Sequence, residues 1–223
     1  MIRVYVVVEG STEESFINNL LAPFLWSHSI HLTPIILGPS GHKGGRTSYA
    51  RVKKDVMKLL KQDKESYCST MLDFYGLGPG FPGAPLAPGL PNREKVTRIE
   101  EAVKADIISA LPRERADTRF LSYLQLHEFE ALLFSDPASF ASGIGEARLA
   151  SQFQSIRSQF ATPEDIDDGP TSAPSKRVLA VHQSYRKVVD GTLAAQAVSV
   201  RRMRDECPHF RDWVDRLTAL GVT

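Results

Sequence analysis

Residues 1–16 read MIRVYVVVEGSTEESF. The run from Val4 to Val8 has no polar alternation and is rich in β-branched residues, the pattern of a strand buried on both faces. It ends abruptly at Glu9-Gly10, and Ser11, Thr12, Glu13 and Glu14 follow before an amphipathic stretch begins. Ser11 or Thr12 is placed to cap a helix predicted over residues 12–26. Glu13 and Glu14 fall in its first turn, where carboxylates suit the helix dipole. A buried strand thus delivers a carboxylate at its tip, with two more just beyond, and the purpose of those acids is the question the rest of the chain must answer.

Working outward, apolar strand patterns alternate with helical ones. Strands are predicted over 31–37, 67–74 (YCSTMLDF) and 120–126, and helices over 49–62 and 93–111. HEFEALLF, residues 127–134, reads as a helix start ended by SDP. Residues 76–92, GLGPGFPGAPLAPGLPN, hold too many prolines and glycines for regular structure, and proline rigidity favours a fixed wall there over a flexible lid. Alternation of this kind predicts an α/β fold with a largely parallel sheet flanked by helices. After about residue 135 the strand patterns fade, and helices are predicted over 146–160, 175–188 and 208–220. The expected organisation is an α/β domain over 1–136 with a helical C-terminal extension, 137–223, packed on it.

Composition narrows the function classes. The 223 residues are 42% hydrophobic and 24% charged, ordinary for a globular protein able to bury a sizeable core. A net charge of +1 by itself predicts no nucleic-acid partner. Cys68 and Cys207, with no CxxC spacing, exclude a disulfide framework and a structural zinc site, and suit a reducing cytoplasm. The N-terminal apolar run stops too early for a secretion signal. No stretch of about 18 apolar residues occurs, so neither a spanning helix nor a membrane role is expected.

In open α/β sheets ligands bind beyond the carboxyl ends of the strands. Glu9 closes the first predicted strand, Asp73 ends the third in MLDFYG, and Glu128 and Glu130 follow the fourth in LQLHEFE. In a parallel sheet these acids converge from distant parts of the chain. Clustered carboxylates repel one another unless a cation neutralises them. Oxygen donors without cysteine suit Mg²⁺ or Mn²⁺, ions that polarise phosphate and activate water. Each acid also has a plainer reading. Glu9 suits a solvated strand end, Glu13 a first-turn helix acid, Asp73 a turn with Tyr75-Gly76, and Glu130 an exposed helix acid. His127 reads better as a partly buried histidine at a helix start than as a ligand.

VVVEGSTEESF resembles the opening motif of Toprim domains, a strand ending in glutamate-glycine. Its second glutamate, Glu13, is similar to that of overcoming-lysogenisation-defect (OLD) nucleases. More closely, VEGSTEESF, TMLDFYGL with the following FPG, LQLHEFEALLFSDP, DDGPTSAPSKR and CPHFRDWVDRL resemble a bacterial Toprim-like family labelled a domain of unknown function, number 4276. The resemblance runs from residue 4 to residue 217. It implies a Toprim-like, Rossmann-like fold and Mg²⁺-dependent phosphodiester chemistry on DNA or RNA. It also implies a prokaryotic defence setting beside an ATPase of the AAA or ABC type. By the same resemblance Glu9 is a metal ligand or general acid/base, Glu13 the second OLD-type glutamate, and Asp73 the first aspartate of the Toprim Asp-x-Asp. Tyr75 stands where the second aspartate is expected. Glu128 or Glu130 then supplies the missing oxygen, or the site holds one metal, or the domain is a degenerate module that binds nucleic acid or a partner ATPase without cutting.

Basic segments complete the reading. GHKGGRTSYARVKK, residues 41–54, joins glycines, which let backbone N–H groups approach phosphate, to Lys43, Arg46 and Arg51 as candidate nucleic-acid contacts. It lacks the GxxxxGK[ST] spacing of a nucleotide-binding loop. PSKR, residues 174–177, places Lys176 and Arg177 at a helix start where phosphate docks. Lys176 is the candidate for neutralising transition-state charge, the role a lysine has in OLD-type enzymes. The plainer readings are a solvated loop and a surface-helix lysine. RRMRDECPHF, residues 201–210, either lines a nucleic-acid groove or pairs with acids, with pairing favoured, and Trp213 with Leu217 reads as core rather than a stacking platform.

Overall fold

The protein is described from a computed structural model that covers residues 1–38, 46–78, 80–84, 89–166 and 172–222. Its sheet is built on β1 (Ile2–Val8), which lies parallel to β2 (Ile30–Ile36) on one side and to β3 (Tyr67–Asp73) on the other. Val8 is level with Ile36 and with Met71. Two short strands, β4 (Phe120–Leu121) and β5 (Leu124–Gln125), pair in parallel with successive parts of β3, giving the order β2-β1-β3-β4.

The unbroken apolar run of β1 has its reason in this position, because both faces of the strand are covered. Val4, Val6 and Val8 enter one core, with Phe16, Leu25, Phe210 and Trp213. Val7 enters the other, with Val52, Val56, Ile99 and Phe120. The second core is roofed by α3 (Tyr49–Gln62) and α4 (Asn92–Ala110). The first is roofed by the N-terminal helix and the C-terminal helices together. The expected α/β fold, with a parallel sheet flanked by helices and a helical C-terminal part, is the one found.

Several elements depart from their predicted form for identifiable reasons. The helix expected over 12–26 is α1 (Ser11–Phe16), a π-helical turn (Ile17–Leu21) and α2 (Ala22–Trp26). Pro23 lacks an N–H and crowds the preceding turn, and widening of the ladder just upstream accommodates it. After α5 (Ala116–Arg119), the fourth strand is split into β4 and β5. Thr70 causes the break: its Oγ1 accepts from Tyr123 N–H at 3.0 Å and donates to Tyr123 O at 2.7 Å, taking over the ladder at that residue. HEFEALLF yields the single turn α6 (Glu130–Leu133).

The C-terminal part contains α7 (Pro137–Gly143), α8 (Ala150–Arg157), α9 (Pro174–Val181), α10 (Lys187–Val198), α11 (Val200–Glu206) and α12 (Pro208–Ala219). The helix predicted over 175–188 therefore stops early, and α7, α10 and α11 were not anticipated. Gly191 inside α10 disguises that helix. It faces Tyr185, and a Cβ there would meet the Tyr185 hydroxyl at 3.0 Å. The basic stretch 201–210 pairs with acids as expected: Arg202 with Glu206, and Arg204 with Asp215. Phe81, in the proline-rich segment, is buried and packs on Tyr49 with ring centres 5.2 Å apart. No described helix is long and apolar enough to cross a membrane.

Trp213 ties α12 to the sheet. It is fully buried, stacks on Tyr123 at 4.2 Å, and donates its indole N–H to Ser69 Oγ of β3 at 2.9 Å. Trp213→Ala is expected to lower unfolding free energy by about 3–5 kcal/mol, the cost of a large core cavity. Urea denaturation checks this, and a loss under about 1 kcal/mol would show that α12 is not integral to the core.

Candidate functional site: an acidic cleft at the strand ends

The chain leaves β1, crosses to β2 on one side, and returns past β1 to β3 on the other. The gap between β1 and β3 is therefore the switch point of the sheet, and the chain ends of both strands open into it. Glu9 is the residue after β1 and Asp73 the last of β3, so the register of the two strands sets both carboxyl groups at this gap. Gly76, in the 3₁₀ turn after β3, packs against Glu9. A Cβ on it would lie 3.2 and 3.3 Å from the two Glu9 oxygens.

Glu13 is delivered by the first turn of α1. It is buried and reaches back to accept the Gly10 N–H at 3.1 Å, so it serves as a helix-capping acid as well as a member of the cluster. Glu128 and Glu130 come from the turn after β5. Glu128 Oε2 accepts the Ser175 N–H at 2.9 Å, which joins α9 to the site. Asp73, Tyr75, Gly76, Glu128 and Ala173 line an open cleft of about 330 Å³. Tyr75 is exposed at its mouth, with its ring stacked on that of His127 at 5.2 Å. His127 is fully buried, beyond the partial burial expected.

Burial sets the charge state of this cluster. Asp73 keeps some surface in the cleft, yet protein surrounds its carboxyl densely. Desolvation first, then Glu13, Glu9, Glu130 and Glu128, hold its pKa well above the usual aspartate range. Burial also raises Glu9; the Thr47 hydroxyl and Asp73 N–H oppose the rise, but neither closes a hydrogen bond on Oε1, which is buried without a partner. Glu13 is pushed to about 7 by burial, with the Glu9 charge adding and backbone N–H groups opposing. Glu130, almost fully buried, is also pushed to about 7 by desolvation, against the pull of Lys187, and its Oε1 has no partner. Burial raises Glu128 too, but Lys187 and Ser175 together outweigh it, and its pKa is lowered.

Lys187 is the residue that sequence reasoning missed. Its ammonium lies 3.1 Å from Glu128 Oε1 and 3.4 Å from Glu130 Oε2. Lys176, the lysine singled out from the sequence, is exposed on the first turn of α9. Lys43 lies outside the described residues. Arg46 is exposed, and the next residue is stitched to the cleft wall: Thr47 N–H donates to Gly76 O at 2.8 Å, and Gly78 N–H to Thr47 O at 2.9 Å. Arg51 turns onto Leu37 O at the end of β2. Arg177 donates to Ser172 O and lies over the Phe160 ring. Those two arginines thus have structural contacts at the positions where phosphate contacts were expected.

Among the described residues, no three His, Cys, Asp or Glu side chains close around a common point. Glu13 is turned back onto Gly10, and Glu128 is turned onto Ser175 and Lys187.

Residues 8–218 match the family described as Domain of unknown function (DUF4276). The chain belongs to that family. Among solved structures it is similar to the C-terminal region of the Xanthomonas campestris pv. campestris OLD protein. Two structures of that region, phased with iodine and with mercury, are 14% and 13% identical to it, with a TM-score of 0.45 for each. Both comparisons cover 100% of this chain and 97% of the other. Likeness at this level assigns no activity. No curated protein matches the chain.

The raised carboxyls make a pH prediction. Their folded pKa values, about 7 for Glu13 and Glu130, lie above the unfolded value of 4.5, so the folded state binds more protons between these limits. Stability in the presence of EDTA is therefore expected to fall as pH rises from about 5 to 7. Glu13→Gln and Glu130→Gln are each expected to flatten that slope. Melting temperatures at stepped pH test this, and identical slopes in the variants and the wild type would remove the two groups as its source.

Proposed function

We propose that the chain is a Mg²⁺- or Mn²⁺-dependent phosphodiesterase of Toprim type that cleaves DNA or RNA. One observation carries this reading: the charges of Glu9, Glu13, Glu128 and Glu130 all act on Asp73 at the switch point of a parallel sheet, and two of these acids keep a buried oxygen with no partner. A fold that leaves carboxylate oxygens desolvated and unpaired has a donor set suited to a hard cation from outside. Glu9, Glu13, Asp73, Glu128 and Glu130 are the candidate donors for the ion; among the described residues no three of them close on one point. When bound, such an ion supplies charge stabilisation at a phosphoryl oxygen and a more acidic water.

The remaining work falls to the chain itself. The stitching of Thr47 to Gly76 and Gly78 fixes one end of the basic glycine-rich segment beside Asp73. Lys43 and Arg46 are its proposed phosphate contacts. Tyr75, 39% exposed at the cleft mouth, offers a ring on which a base can stack. A role in prokaryotic defence beside an AAA- or ABC-type ATPase belongs to the same proposal and rests on the Toprim and OLD resemblance.

A second reading has its own support. Tyr75 stands at the second aspartate position and three acids do not close on one point, as expected of a worn site that binds nucleic acid or an ATPase without cutting. Mg²⁺ separates the two: the nuclease is stabilised by it, and the worn module shows no shift in melting temperature.

The decisive assay uses plasmid, single-stranded DNA and total RNA with Mg²⁺, Mn²⁺ or EDTA. Cleavage by the wild type is expected only with metal. Glu9→Gln and Asp73→Asn are each expected to lower it by about 100-fold or more while leaving the circular dichroism spectrum unchanged. Wild-type rates in both variants would refute the assignment.

A further inference from the structure

The outer face of α3 carries charge of one sign. Val52, Val56 and Leu60 turn inward to the second core, and Lys54, Lys58 and Lys61 project from the opposite side, all exposed. Lysines at i, i+4 and i+7 form a continuous row, and like charges at such spacings lower helix stability. Outward helix faces ordinarily mix the signs. α4, in the same layer, does so: it holds four cations and four acids and pairs Arg98 with Glu94. α3 holds five cations and a single acid, Asp55, in a chain whose net charge is only +1. Asp106 of α4 is taken by Lys53 at 2.7 Å and by the Tyr49 hydroxyl. Asp55 shares a groove against β2 with Lys58, yet among the described residues none of Lys54, Lys58 and Lys61 has an ion pair. Ala50, Met57 and the four lysines of α3 line an open groove of about 500 Å³.

The row starts where the cleft opens. Thr47, two residues before α3, is bonded to Gly76 and Gly78 of the cleft wall, and Arg51 in the first turn holds Leu37 O at the end of β2. From that edge α3 runs alongside the sheet towards the start of β3 at Tyr67. We propose that the outer face of α3 is a nucleic-acid contact surface, on which a sugar–phosphate backbone leaving the cleft mouth is held by Lys54, Lys58 and Lys61. The row rises about 10 Å along the helix, the span of about three successive phosphates at roughly 3.4 Å each. Ammonium groups take phosphates as point charges and read no sequence. An open groove floored by lysine stems and Met57 suits a polymer better than a small ligand, which needs an enclosed site. The inference rests on the nucleic-acid substrate of the reading above and adds where the polymer lies outside the cleft. It requires no metal ion.

The test measures binding with cleavage suppressed. A fluorescently labelled single strand of about 30 nucleotides, as DNA and as RNA, is titrated with the full chain in EDTA at stepped KCl, and anisotropy gives Kd. The wild type is expected to bind with an affinity that falls as salt rises. Lys54→Gln/Lys58→Gln/Lys61→Gln is expected to bind about 10-fold more weakly or worse at low salt. Its log–log salt slope is expected to be shallower by about 2, the share of three phosphate contacts on a single strand. Glutamine keeps helix propensity, and circular dichroism checks the fold. Arg148→Gln/Arg201→Gln/Arg211→Gln removes the same number of charges from the C-terminal part and is expected to bind within about 2-fold of the wild type. Equal losses in the two triple variants, wild-type affinity in the lysine variant, or no binding by the wild type would overturn the inference. So would displacement of the strand by poly-glutamate as readily as by unlabelled DNA, which would mark an acidic protein partner. The cleavage assay stands apart from this one. A chain that binds through the row and cuts nothing keeps this inference and loses the nuclease reading. A chain that cuts with metal and binds as tightly without the row does the reverse.

Discussion

The cleft depends on the pairing of β1 with β3. Because the two strands run parallel with Val8 level with Met71, the residues that follow each strand emerge at the same edge of the sheet. That register is held by burial. Val4, Val6 and Val8 fill one core and Val7 the other, so a slip of one residue would exchange the two sets and bring Tyr5 and Glu9 towards the interior. The strand is apolar because it is central, and a central strand at a switch point is where a sheet of this topology leaves a crevice. The buried core and the placement of Glu9 are consequences of one arrangement.

Placing five acids at that crevice works against folding. Each buried carboxyl is desolvated and each ionised neighbour adds repulsion, and both effects appear in the raised pKa of Asp73. Such a cluster persists because the surrounding structure is over-determined. Trp213, Tyr123 and Ser69 lock the last long helix to β3, and Glu13 is held in place by the same hydrogen bond that caps α1. Within the cluster, protonation and Lys187 relieve part of the repulsion without any added ion.

Much of this was legible in the sequence, and the part that was not has a common cause. The β1 run, its terminal Glu9, the helix over 49–62 and Asp73 at the end of a strand are all local patterns, and a period-2 or period-3.6 reading finds them. The meeting of Glu9 with Asp73 follows from the parallel topology, which strand-helix alternation implies. Lys187 is different. Nothing within its own stretch, SYRKVVDG, distinguishes it from an ordinary first-turn lysine, and its partners lie nearly sixty residues away. Gly191 and the paired valines hid the helix that carries it. Lys176 attracted attention because it follows a proline at a helix start, yet it is Ser175 next to it whose backbone N–H meets Glu128. Arg51 looked like a phosphate contact because of its basic neighbours, whereas the end of β2 leaves a carbonyl, Leu37 O, that its guanidinium satisfies.

A second set of buried acids shows why the cleft reads as a binding site rather than as framework. Glu164 and Glu100 are also buried, and burial raises Glu164 too. There the fold supplies donors. Both Glu164 oxygens accept N–H groups at the start of α12, from His209 at 2.9 Å and Phe210 at 2.8 Å. Glu100 Oε1 accepts the Leu124 N–H at 2.6 Å and lies 3.0 Å from His209 Nε2. Glu164 caps the start of α12, and Glu100 joins α4 to β5 and His209. Among the described residues, the buried carboxylate oxygens left without a partner are Glu9 Oε1 and Glu130 Oε1, both in the cleft cluster. Glu130 has Lys187 at 3.4 Å on its other oxygen, so what sets these two acids apart from Glu164 and Glu100 is a buried oxygen that no donor of the fold reaches.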